Sequence, residues 1–224
     1  AGIFGTENPS TNLVPTMTWV IFWVGVAYMS ALVGNVWALI NPLKVIYTYA
    51  ESIVYKLTGK DLSRYEPYPE HLGAWPSVAL FLAFAWVEIV YARSGVPANI
   101  VILALTYTAI TFGGMWWFGR DQWLRSGEAF TLVLGFFAAF SPTEVRVRGA
   151  DVNGDLVNDY EAFSAADTNV REWNVRPWGV GLLSVSGLGL SQAFLLIVLL
   201  ATVSFDGFVE TGPWSRALID VYPS

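Results

Sequence analysis

The stretch from Gly187 to Phe208, GLGLSQAFLLIVLLATVSFDGF, sets the terms for the rest of this 224-residue chain. No charged side chain occurs between Arg176 and Asp206, and Ala193 to Ala201 is almost pure Leu, Ile, Val and Phe. At about 1.5 Å per residue, about 20 such residues cross a hydrocarbon core of about 30 Å. A helix in the core of a water-soluble domain carries a polar stripe every three or four residues. This one has none, so it is read as a membrane span, and it ends on a carboxylate, Asp206.

Composition agrees. The chain is 54% hydrophobic and 13% charged, against about 25% charged in soluble domains. Eleven Trp and ten Tyr suit the aromatic belts of membrane interfaces. The absence of Cys removes disulfides, thiolate metal sites and cysteine nucleophiles together. With one histidine, His71, no His-rich di-metal centre is available. No GxSxG elbow, HExxH or GxxxxGK[ST] loop occurs. The net charge of −6 argues against a nucleic-acid partner. The chain opens at Ala1 without Met; a cleaved signal peptide would place the N-terminus outside, and terminal trimming or choice of fragment explains it equally.

A second long uncharged run lies between Asn8 and Leu43, and Leu13 to Ile40 reads as one helix carrying Trp19, Trp23 and Trp37. Pro15 falls in its opening turn, where a missing N–H costs little. Gly25, Ser30, Ala31 and Gly34 are small residues of the kind that let membrane helices approach closely. Asn41-Pro42 is a stop and a restart, a cap followed by a first-turn proline. From Leu43 to Leu57, one face gathers Leu43, Ile46, Ala50, Ile53, Val54 and Leu57, with Lys44, Glu51 and Lys56 elsewhere. That pattern describes an amphipathic helix in the interface, or a packed connector.

Gly59 to Gly73 is a polar loop in which His71 reads as solvated. Ala74 to Tyr91 is the third span, with Glu88 near its far end; Asn99 to Phe118 is the fourth, closed by the collar Met115 to Phe118. Arg120 to Glu128 is polar. Ala129 to Phe140 is then apolar for only twelve residues, so a re-entrant or interface helix is expected, with a tilted span reaching back through the polar residues as the alternative. Ser141 to Pro177 is the one sizeable water-facing stretch. The fold class is therefore all-α: a polytopic membrane helix bundle in a single domain, 1–224, with spans at about 13–40, 74–91, 99–118 and 187–208.

With four spans, the segments Lys44 to Arg64 and Arg120 to Arg176 share one side and hold ten basic residues, leaving Arg93 and Arg216 on the other. The excess of Lys and Arg marks the cytoplasmic side, so both ends face outside in a bacterial cytoplasmic membrane. A crossing by Ala129 to Phe140 would make the split seven to five and remove the argument.

Glu88 and Asp206 are the sharpest candidates for chemistry. A carboxylate at mid-membrane costs at least about 2.5 kcal/mol even on insertion scales. One reading is a proton or cation site facing the bundle; the other is interfacial placement at the ends of the two spans. Asp151, Asn153 and Asp155 occupy the first, third and fifth places of a calcium loop. Leu156 stands where the sixth-place Gly belongs and Ala162 where the bidentate acid belongs, and a one-residue shift brings in Glu161. Asp/Asn/Gly clusters also mark plain turns.

Six segments resemble a family of bacterial multi-pass membrane proteins labelled fenitrothion hydrolase. They are ALINP (Ala38 to Pro42), YPEHLGAWP (Tyr68 to Pro76), LFLAFAWVE (Leu80 to Glu88), FGRDQWL (Phe118 to Leu124), REWNVRPWGVGLL (Arg171 to Leu183) and FDGF (Phe205 to Phe208). Glu88, Arg120, Arg171, Glu172, Arg176 and Asp206 fall inside them. The resemblance implies a polytopic membrane protein, a chain shorter than the family's members, and, through its label, phosphotriester hydrolysis. The residues themselves supply packing surface rather than reactive groups. The expectation is accordingly a non-catalytic subunit of a larger membrane complex, contacting lipids and other membrane subunits. A membrane-embedded hydrolase of apolar phosphotriesters and ion passage through Glu88 and Asp206 are the alternatives.

Overall fold

Among the described residues, four helices are long and apolar enough to cross a membrane: Leu13–Leu32, Glu70–Ile89, Pro97–Phe118 and Leu190–Val209. The computed structural model describes residues 5, 6, 8, 11–148, 158–185, 188–209, 211, 212 and 214, with backbone alone at 158, 159, 161, 165 and 184. Its first helix, α1 (Leu13–Leu32), starts at Asn12, whose side chain accepts from the Val14 N–H at 3.0 Å. Within it Thr16–Gly25 is wound as a π-helix.

The single helix expected from Leu13 to Ile40 is interrupted. The chain breaks after Leu32 and resumes as α2 (Val36–Ile40), capped by Asn35. Gly34 makes the break: its φ is +152°, and a Cβ there would stand 2.7 Å from Thr143 Oγ1 and 2.9 Å from the Tyr160 hydroxyl. Only glycine offers both that backbone conformation and that close approach. A second stop follows at Asn41, which caps α3 (Pro42–Thr58) by accepting from the Leu43 and Lys44 N–H groups at 3.0 and 3.2 Å. The outward face of α3 carries Ile46, Tyr49, Ile53 and Leu57, all exposed. Thr48 and Glu51 turn inward, both meeting Arg120.

Helix α4 (Trp75–Ile89) and α5 (Pro97–Phe118) are joined by the short turn 90–96. After α5 come α6 (Arg120–Ser126) and α7 (Ala129–Ala138). The last long helix is α9 (Leu190–Val209), preceded by the short helix α8 (Asn158–Ala165). The water-facing segment holds the one described sheet, an antiparallel ribbon of β1 (Thr143–Val147) and β2 (Arg171–Val175) in the register Val145↔Trp173. Arg176 fastens it to the end of α7, donating to Glu144 at 3.1 Å and to the Ser141 carbonyl at 3.2 Å.

Two contacts give the sense of the bundle. The Ala74 N–H donates to Ser191 Oγ at 2.8 Å, and Trp75 packs on Phe194 at the starts of α4 and α9. Glu88 and Asp206, near the ends of the same helices, line one cavity. The two helices therefore run side by side in one direction, so with α5 returning the chain, residues 119–189 add no net crossing.

The core sits between α1, α4, α7 and α9, around Trp23, Phe81, Phe84, Phe130, Val133 and Leu195. Every residue from Ala129 to Phe136 is buried. A ten-residue apolar helix is too short to span lipid; this one is wrapped by protein and has become the centre of the bundle rather than an interface helix.

Candidate functional site

The polar centre of the molecule is a carboxyl group that sequence reasoning left in a plain polar stretch. Gly119, at φ +90°, turns the chain back after α5, and α6 lies along α5 with Trp123 on Gly114. A Cβ on Gly114 would stand 2.2 Å from that indole, so only a bare backbone admits the ring. The Ser77 hydroxyl holds the Ser126 carbonyl at 2.8 Å. Two residues later Glu128 adopts extended backbone and caps α7.

Glu128 is 0% exposed, and its neighbours donate to it. The Phe130 N–H reaches Oε1 at 3.1 Å and the Thr131 N–H reaches Oε2 at 2.6 Å. The Tyr107 hydroxyl donates to Oε1 and the Thr131 hydroxyl to Oε2. Trp37 Nε1 stands 3.5 Å from Oε2. Tyr107 lies midway along Pro97–Phe118, which puts this centre at mid-span. The cap of α3 is here too: Asn41 Nδ2 is 3.5 Å from Thr131 Oγ1. The N-terminus of α7 thus meets the carboxyl group directly, and the start of α3 reaches it only through Asn41 and Thr131. The orphan N–H groups and positive dipole end of α7 favour an acceptor there, and the donors offset the cost of burying it. Chemically the arrangement ties α2, α5 and α7 together through one acceptor.

Glu88 and Asp206 form the second region. The structure brings them to a single cavity of about 410 Å³, whose other walls include Trp23, Tyr28, Ala31, Phe137 and Thr202. Glu88 is half-buried and Asp206 exposed. Among the described residues neither carboxylate has a hydrogen bond or ion pair. A larger-walled apolar cavity of about 340 Å³ lies beside the Glu128 centre, with Trp37, Tyr107 and Phe130 in its lining.

The remaining sequence candidates fall as follows. Asp151, Asn153 and Asp155 lie outside the described residues, and of Glu161 only the backbone, within α8, is described. His71 is exposed. Among the described residues no group of three or more His, Asp or Glu is placed to hold a metal ion. Arg120 pairs with Glu51 and Asp121, each at 2.8 Å. Arg171 lies over the Phe163 ring and donates to the Ala166 and Ser164 carbonyls. Arg148 reaches Glu172 at 2.8 Å. Each of these charges ties one element to another. Outside the spans, burial pushes the Tyr47, Tyr65 and Tyr68 phenols above their ordinary range.

No protein-family model, curated protein or solved structure matches the chain.

The Glu128 signal was faint in sequence. An acid placed directly before an uninterrupted apolar run is an N-cap position, but Glu is not among the residues that favour it. Tyr107, Trp37 and Thr131 carry no spacing that announces a common partner.

Proposed function

We propose that this multi-pass membrane protein is a non-catalytic accessory subunit of a larger membrane assembly. It sits in the bacterial cytoplasmic membrane with its N-terminus outside, as the distribution of Lys and Arg suggests. The observation that carries the reading is the use made of its polar groups. Glu128 is occupied by donors from three helices, and Arg120, Arg171, Glu172 and Arg176 each close a contact within the fold. Little reactive chemistry is left over. The outward faces are broad and aromatic, with Tyr28, Tyr49, Trp86 and Trp178 exposed. Purification from native membranes in mild detergent tests this: co-migration with a larger complex is expected, and a lone chain that cleaves a phosphotriester overturns it.

The family label's hydrolysis of apolar phosphotriesters needs a nucleophile and a base. Tyr107 beside Glu128 is the nearest such pair, but the carboxyl is already held by other donors. Ion passage is the second reading, favoured by the shared cavity that brings Glu88 and Asp206 together without partners. Proton flux in reconstituted vesicles, compared with Glu88→Gln and Asp206→Asn, decides it.

A further inference from the structure

The cavity beside the Glu128 centre is built unlike the one at Glu88. It is a groove that begins on the outside of the bundle, at Met17 of α1 and Ile110 of α5, both 45% exposed. It runs inward to Phe84, Ile100 and Phe130, all buried. Along α5 it reaches from Ile100, in the first turn, to Ile110, just past the middle of a 22-residue span. Its walls are almost wholly hydrocarbon; of its three threonines, Thr18, Thr106 and Thr108, the last is turned to the Ala104 carbonyl. The Tyr107 hydroxyl is likewise turned away, to Glu128.

Each feature narrows the occupant. Water needs several polar partners to stay in a cavity, and beyond the hydroxyls of Thr18 and Thr106 the wall offers almost nothing polar. A void of this size, about 340 Å³, forfeits the dispersion contacts of its whole lining if left empty. A polar headgroup cannot sit at that depth without losing its hydration. The mouth is continuous with the lipid-facing surface of α5, where Ile102 and Leu105 are exposed. The volume is that of an ordinary ligand pocket.

We propose that this groove holds an acyl chain of a bilayer phospholipid, seated against the Trp37–Tyr107–Phe130 wall that cages Glu128. The inference rests on the membrane-spanning reading of the four long helices and not on the subunit role. The chain acts as a wedge that completes the bundle where α1 and α5 part.

The test uses the full chain reconstituted in vesicles of phosphatidylcholine carrying a diazirine midway along one acyl chain. After irradiation, adducts are mapped by peptide mass. Labelling is expected to concentrate severalfold at Leu103, Ala104 and Phe84 over Ile197 and Leu200, which lie on the open outward face of α9. Ala104→Phe should fill the groove and abolish that excess while labelling of α9 stays unchanged. Ala83→Phe, approaching from the α4 wall, should do the same and decides the matter if the first variant fails to fold. Even labelling of all outward faces, or an excess that survives both folded variants, overturns the proposal.

Discussion

Glu128 and the Glu88–Asp206 pair are carboxylates placed in lipid by opposite means. At Glu128 the chain spends the free N–H groups at the start of α7 on one acceptor, adding Tyr107 and the Thr131 hydroxyl. Nothing about that group is left open. At Glu88 and Asp206 the helices continue unbroken, and the carboxylates stand near the ends of α4 and α9 on the wall of a cavity. The first is insulated by its hydrogen bonds, the second by position and space. Carboxyl groups therefore have two different settings in one small bundle: a structural joint at the centre, and a pair lining a cavity near the rim.

The largest effect expected from this contrast is at the joint. Glu128→Ala strands several buried donors and uncaps α7, and should cost about 3–5 kcal/mol. Thermal unfolding in detergent micelles measures it; an unchanged midpoint would mean that the start of α7 does not depend on the carboxyl. Tyr107→Phe removes one donor and leaves the rest, so its expected cost is about 1–2 kcal/mol in the same assay.

A smaller effect belongs to the polar end of the bundle. Burial holds the Tyr47 phenol above its ordinary range, so the folded state keeps its proton at a pH where the unfolded chain has begun to lose it. Its stabilising contribution is complete below the ordinary tyrosine pKa of about 10 and fades as pH rises toward the raised folded value. Unfolding midpoints should fall in that alkaline window, and fall less steeply in Tyr47→Phe. The least disturbance is expected at the rim: Glu88→Gln and Asp206→Asn should each shift stability by less than about 0.5 kcal/mol. A large loss there would erase the contrast between the two regions. A change in vesicle proton flux with folding preserved would sharpen it.

The spans were legible because hydrophobic length is a property of consecutive residues. Leu190–Val209 and Pro97–Phe118 fall within a few residues of the stretches their apolar runs define. The cap and first-turn proline at Asn41-Pro42 were legible for the same reason. The interruption at Gly34 was not, since an isolated Gly in an apolar run is ordinary in a membrane helix and only Thr143 and Tyr160, more than a hundred residues away, make it necessary. On α3 the outward face is Ile46, Tyr49, Ile53 and Leu57, whereas Leu43 packs inward with Tyr47, and Arg120 arriving from α6 draws Glu51 and Thr48 inward.

By itself the sequence determined the solvent: long uncharged runs leave lipid as the only medium in which these helices are stable. It also placed Glu88 and Asp206 near span ends, because position along a helix needs no partner. Only the tertiary structure decided that those two share a cavity and that Glu128 is the buried centre. Hydrogen-bond satisfaction is a relation between distant segments, and Trp37, Tyr107 and Thr131 meet only after the helices pack.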